Sequence, residues 1–389
     1  MKGFSQMAPT AHLDHDRFTA ELDRHLAGVT RRRGALGAPQ VAVRSASDGR
    51  DGRDGLDYRF GDEATRFHVA SIGKMFTATL VMQLAESGAL RLESPVTQLL
   101  PAAELRGLFV VDGADLAEEV TVERLLAHTS GVADYFEGDV VRGPRFRDLV
   151  VDEPDHLWTP AELLDFSRDR QRPVGRPGAR FAYSDTGYIL LGRIIEETTG
   201  REFHEVLHER ILRPLGMLDS ALLFHSLPER DFVSALAAGA PTTATATVPD
   251  IAPFRLGRHE VSRLTSISCD WAGGGIISVP TDLTTFSAAL HGGQLITSAS
   301  LARLTEMRNR FRPGIRYGAG MMQVRFEGFM PLLRGLPRPL GHIGVLATHL
   351  FRDPVHEVDI VLNFASTREM SRSFRTLIFI EQALQRASR

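Results

Sequence analysis

The chain has 389 residues, 43% of them hydrophobic and 24% charged, a composition that supports a buried core and excludes a disordered chain. Its 45 basic and 48 acidic residues leave a formal net charge of −3, which gives no general attraction for nucleic acid or for an anionic membrane surface. The single cysteine, Cys269, excludes an internal disulfide framework and reads as a small buried residue.

In chain order, the polar start MKGFSQMAPTAHLDHDRF lacks the apolar core of a secretory signal. No later stretch reaches the roughly 18 apolar residues of a membrane span, so a cytoplasmic protein is expected. Phe18, Leu22 and Leu26 recur at helical spacing and predict a helical arm over residues 1–37, with Arg31, Arg32 and Arg33 as its solvated end. Gln40 to Ser45 and Leu56 to Phe60 predict two strands, joined by a Gly/Asp-rich stretch over 47–55 that can supply hairpin turns. From Val69 to Ala85 the sequence is apolar nearly all round and stops at Gly88, as a buried helix with a glycine after its end would.

Helical patterns follow at Val122 to His128, Pro160 to Arg168, Tyr188 to Thr199 and Phe203 to Leu212. The low-complexity stretch Ala237 to Val248 reads as a loop. Beyond it come a helix at Thr281 to Leu290, strands at Ala319 to Phe326, Val345 to Leu350 and Glu357 to Asn363, and a closing helix over about 368–386. Strands near both ends of the chain imply that its two halves pair. The expectation is an α/β (α+β) fold: a central antiparallel β-sheet flanked by helices, its sheet domain made of 38–89 and 256–389, with a mostly helical region of 90–255 inserted.

Ser71-Ile-Gly-Lys74 lies at the start of the buried helix. Positions i and i+3 share a face, with Cβ atoms about 5–6 Å apart, so the hydroxyl and the amine can meet. Lys2 and Lys74 are the only lysines in the chain. An arginine stays protonated at any workable pH, whereas a lysine amine can act as a base when buried; a site needing a neutral amine cannot accept arginine. With no carboxylate nearby in sequence, Lys74 is expected to have a depressed pKa and to take the Ser71 proton, while the helix N-terminus favours a developing oxyanion.

Ser-x-x-Lys alone is a weak pattern, and its context strengthens it. Ser71-Ile-Gly-Lys74 resembles the first motif of the serine β-lactamase and penicillin-binding-protein superfamily, in particular its branch of class C β-lactamases, D,D-peptidases and esterases. Leu125-Leu-Ala-His-Thr-Ser-Gly131, Pro214-Leu-Gly-Met217 and Trp271-Ala-Gly-Gly-Gly275 are similar to structural marks of that family in order and spacing. Tyr183-Ser184-Asp185 stands where the family has Tyr-x-Asn, which implies that Tyr183 shares proton transfer with Lys74; a phenol near an ammonium should have a lowered pKa. Asp185 in place of asparagine departs from the pattern, and if ionised it would favour a protonated Lys74. Gly341-His342-Ile343-Gly344 looks like the third motif, with His342 replacing the lysine of true β-lactamases. The loss of that permanent cation shifts weight from substrate carboxylates toward esters, amides and D-amino-acid derivatives. The resemblance further implies Ser71, Lys74 and Tyr183 as catalytic residues and Asp185, His342, Gly344 and Val345 as substrate-facing, with the oxyanion held by the N–H groups of Ser71 and Val345.

The implied activity is that of a serine hydrolase cleaving a small ester, amide or peptide through an acyl-enzyme on Ser71, with no metal or cofactor. Three alternatives stand beside it: an acyltransferase using the same intermediate, a module that is acylated and not turned over, and a zinc peptidase using His204-Glu205-Val206-Leu207-His208, which matches His-Glu-x-x-His. The apolar face Phe203, Val206, Leu207 and Ile211 is expected to turn both histidines of that last motif toward solvent.

Overall fold

The computed structural model describes residues 13–32, 37–45, 55–243 and 249–388. Eight strands form one antiparallel sheet, in the spatial order Asn309–Arg312, Ile315–Tyr317, Met322–Val324, Leu340–Gly344, Thr348–Asp353, Val358–Asn363, Gln40–Ser45 and Asp57–Phe60. Gln40 lies opposite Asn363 and Ser45 opposite Val358, so the two ends of the chain meet inside the sheet as expected.

Side chains alternate across a strand, and both faces of this sheet are covered. Val41, Val43, Phe351, Ile360 and Leu362 face the helices His15–Thr30 and Met370–Ala387. Phe18, Leu22 and Leu26 are buried there, which seats the N-terminal helix in the core. On the other face Ala42, Leu350 and Val361 join a larger core containing the helices Gly73–Glu86, Asp185–Thr199 and Pro280–His291. The helix Gly73–Glu86 is buried on nearly every side, and Gly88 follows it at φ +77°, a left-handed conformation that glycine adopts without steric cost. No helix among the described residues is long and apolar enough to cross a membrane.

Local expectations failed in several places. Val345 to Leu350 is not one strand: Gly341 to Gly344 already lie in the strand Leu340–Gly344, and Val345 to Ala347 form the hairpin turn before Thr348–Asp353. Ala347 at φ +59° closes that turn, a conformation that apolar patterning does not signal. Second, the strand expected from Ala319 to Phe326 shrinks to Met322–Val324. Third, two strands of the large sheet went unforeseen, Asn309–Arg312 and Ile315–Tyr317, because their arginines mask the alternation; Gly314 at φ +73° turns between them. Fourth, Ala237 and Ala238 end a helix, Glu229–Ala238, rather than beginning a loop. Residues 46–54, the centre of the expected Gly/Asp hairpin, and 244–248 lie outside the described residues, as do Arg33 and the polar N-terminal stretch 1–12.

Candidate active site

Ser71 sits in a tight turn, Ala70–Ile72, that leads into the helix Gly73–Glu86. Several contacts hold this turn. The Ala70 N–H donates to His68 Nδ1 at 3.1 Å, and Thr348 Oγ1 donates to the Val69 carbonyl at 2.9 Å. Ala70 itself has φ +52°, a strained conformation that persists only where its surroundings enforce it. Behind the turn, Gly274 packs against backbone so closely that a Cβ there would meet the Ala70 carbonyl oxygen at 2.8 Å. This contact gives the glycine run a steric reason.

Lys74 lies one turn into the helix with no solvent exposure. Its Nζ is 3.3 Å from Ser71 Oγ and donates to the Gly273 carbonyl at 2.7 Å. It also forms a close ion pair with Asp185. The sequence expectation of a lysine without a nearby carboxylate therefore fails: Asp185 is 111 positions away along the chain but adjacent in space. Asp185 is the first residue of the helix Asp185–Thr199, where the helix dipole favours a negative charge, and Ser184 caps that helix by accepting from the Gly187 N–H.

Tyr183 leads into the same cap. Its ring lies against His128, 4.2 Å between centroids, and Phe311, 5.3 Å, with Lys74 Nζ 5.2 Å from its centre. Burial, followed by the Asp185 carboxylate, pushes the phenol pKa well up, while the Ser71 hydroxyl beside it acts in the opposite sense. The expected lowering is thus reversed, because burial disfavours the phenolate and the Asp185 carboxylate adds a like charge beside it. Tyr183 is a neutral phenol in the resting site.

His342 is fully buried and neutral, its pKa pushed down to about 3 by burial and then by Lys74. A chain of hydrogen bonds fixes its ring. Ser184 N–H donates to His128 Nδ1 at 3.1 Å, which leaves the His128 proton on Nε2 to donate to Tyr317 Oη at 3.1 Å. Tyr317 lies 3.3 Å from His342 Nε2, and His342 Nδ1 donates to the Ile343 carbonyl at 2.8 Å. These tautomers follow from the network, in which each ring nitrogen has one role. His342 thereby ties the strand Leu340–Gly344 to the loop carrying Tyr183 from behind the cavity wall. Ile343, Gly344 and Val345, by contrast, line the cavity with Ser71, Tyr183 and Asp185.

That cavity is about 1020 Å³. One part of its wall is apolar, including Phe136, Phe311, Ile343, Met370 and Phe374, and another is acidic: Asp134, Glu137, Asp139, Asp185 and Asp270. Arg147, Arg172 and Arg312 also line it. Sequence reasoning missed Asp134 and Asp270, although one follows the quoted Gly131 by three positions and the other immediately precedes Trp271. Asp134 Oδ1 accepts from the Asp185 and Phe136 N–H groups at 3.2 and 3.1 Å; burial and then Asp185 raise its pKa. Asp270 faces His68 Nε2 at 3.7 Å, and its pKa is pushed up to about 7 by burial and then by Asp185, with Lys74 opposing.

A stability prediction follows from Asp270. Its carboxyl releases a proton near 3.8 in the unfolded chain and near 7 in the folded one, so the folded state binds more protons between those values. Its contribution to stability is complete below pH 3.8 and is lost as pH rises through 7, at no more than about 1.4 kcal/mol per pH unit. Denaturant midpoints across pH 4–8 are expected to fall more steeply for the wild type than for Asp270→Asn; parallel curves would refute this.

The chain matches the Beta-lactamase family model over residues 38–385. It belongs to the Beta-lactamase family. Among relatives, it is 38% identical over 157 residues to penicillin-binding protein 4 of Amycolatopsis lactamdurans, covering 40% of this chain and 36% of that protein. It is 30% identical over 240 residues to esterase EstB of Burkholderia gladioli, covering 58% and 57%. The chain thus spans from about a third to somewhat over half the length of these family members. Of solved structures, a D-stereospecific amidohydrolase from Streptomyces sp. is similar over 90% of this chain and 94% of that one, with TM-score 0.68 and 27% identity.

The zinc-peptidase alternative finds its residues otherwise engaged. His204 Nδ1 faces Glu202 at 3.2 Å, Glu205 faces Arg201 at 3.5 Å, and His208 Nε2 is 2.9 Å from Ser226 Oγ. His208 is also buried rather than turned to solvent. The helix ends at Leu207 and continues as a π-turn, His208–Leu212.

Proposed function

We propose that this protein is a serine hydrolase that opens small amides or esters through an acyl-enzyme on Ser71. The observation that carries this reading is the placement of one hydroxyl at a cavity wall, 3.3 Å from a fully buried lysine. The Lys74–Asp185 pair acts as one proton acceptor: as Lys74 passes its proton to Asp185, its amine takes the proton of Ser71, whose oxygen attacks the carbonyl carbon. The N–H groups of Ser71 and Val345 hold the resulting oxyanion. Tyr183, a neutral phenol, gives its proton to the leaving nitrogen or oxygen and regains one from the Lys74 side. Water then resolves the ester on Ser71.

The cavity wall supports a substrate class. Carboxylates cluster around Lys74, and His342 supplies no cation, so a positively charged amine next to the scissile carbonyl is the complementary group, with an apolar substituent against Phe136, Phe311 and Phe374. The similarity to a D-stereospecific amidohydrolase agrees with amino acid amides of this kind. Turnover of D- and L-amino acid amides and esters, each with a free and an N-acetylated amine, tests it. Free-amine substrates are expected to be preferred in kcat/KM by about tenfold or more, the value of one charged hydrogen bond. Equal rates for the acetylated substrates would remove the amine from the reading, and a product ester formed in methanol in place of acid would turn it toward acyl transfer.

A further inference from the structure

Far from Ser71, Asp353, His356 and Glu381 converge between the sheet and the C-terminal helix. Asp353 ends the strand Thr348–Asp353, His356 lies in the turn to Val358–Asn363, and Glu381 projects from the helix Met370–Ala387. One ligand atom from each residue lies within 4.8 Å of the other two. Asp353 and Glu381 have no solvent exposure, and His356 reaches the surface with 11% of its side chain.

The three residues are not equally satisfied. Asp353 Oδ1 accepts from the Val355 and His356 N–H groups at 2.7 and 3.4 Å, so the turn fixes it, and its Oδ2 contacts His356 Nδ1. Neither oxygen of Glu381 meets an N–H or hydroxyl donor among the described residues, and the group it faces is the Asp353 carboxylate. A fully buried carboxylate without a partner is costly, and this one is aimed at a second carboxylate and an imidazole. Two carboxylates and one imidazole are a donor set for a divalent ion of the zinc class, whose charge balances both acids and whose fourth position suits a water molecule at the exposed edge of His356.

We propose that Asp353, His356 and Glu381 bind one divalent transition-metal ion, Zn²⁺ in the first instance, which staples the strand hairpin to the C-terminal helix. The site lies at the opposite end of the strand Thr348–Asp353 from the Gly344–Thr348 turn, roughly 17 Å along the backbone. The ion is structural and takes no part in the chemistry at Ser71.

The full chain, stripped with a chelator and dialysed, is titrated with Zn²⁺ by calorimetry and with Co²⁺ by visible absorption. The expected result is one ion per chain, a raised thermal midpoint with added Zn²⁺ as mass action requires, and affinity lowered at least tenfold in Glu381→Gln. His356→Gln, which alters the partly exposed ligand, gives the same loss if the buried substitution disturbs folding. Ester hydrolysis is unchanged by the chelator, which keeps this test separate from the serine mechanism. The proposal is overturned if wild type and variants take up Zn²⁺ equally, or if no ion binds; in the second case a raised midpoint in Glu381→Gln shows that Glu381 and Asp353 merely share a proton.

Discussion

Ser71→Ala is expected to abolish covalent labelling by a fluorophosphonate and to lower turnover of p-nitrophenyl esters by about 10³-fold or more, as loss of a nucleophile does. The substitution removes one oxygen from a cavity wall and leaves Lys74 its contacts with Asp185 and the Gly273 carbonyl. Stability should therefore change by no more than about 0.5 kcal/mol, so an inactive but folded protein is the discriminating result. Intact-mass spectrometry reads it directly: the wild type gains one adduct and the variant gains none. Labelling that persists in the variant would place the nucleophile elsewhere and sink the mechanism.

Lys74→Met is expected to fail on two counts. The lysine is the only lysine or arginine side chain in hydrogen-bond contact with Asp185 among the described residues, and Asp134 and Asp270 are close enough for Asp185 to raise their pKa values. Removing one partner of a buried pair leaves an uncompensated charge, at a cost of about 3–5 kcal/mol. Turnover should fall with it, since the proposed acceptor of the Ser71 proton, whose Nζ lies 3.3 Å from Ser71 Oγ, is removed. The double variant Lys74→Met/Asp185→Asn separates the two effects, recovering most of the stability but none of the activity. A double variant as unstable as the single one would show that the lysine's packing, not its charge, holds the site. If Lys74→Met kept near wild-type turnover, the proton-transfer role would be wrong.

The helix carrying Lys74 was legible because burial on all sides leaves an apolar run in which one lysine stands out, and because a hydroxyl three positions earlier must share its face. The strands Gln40–Ser45 and Val358–Asn363 were legible for a similar reason, each being a short β-branched run whose ladder partner lies across the whole chain. The hairpin at Asn309–Tyr317 was not, since arginines at alternate positions hide a strand that has one solvated face. The turn at Val345 to Ala347 was hidden too, because backbone conformation there is set by the Ala347 φ of +59° and not by residue type.

From its residues alone, this chain determined its sheet-and-helix class, the Ser71–Lys74 pairing and the order of motifs that resembles the β-lactamase superfamily, because helical and strand periods are properties of neighbours in sequence. Tertiary structure alone decided the charge state of the site. Asp185, Asp134 and Asp270 come from separate segments of the chain, and the effect of Asp185 and Asp134 on Tyr183, like that of Asp185 on Asp134 and Asp270, depends on distances of a few ångströms in a medium with little water. The same holds for His342, which its sequence motif turns toward substrate and which packing places behind Tyr183, bonded through Tyr317 to His128. Coulomb interactions and desolvation act through space, so no spacing along the chain reports them.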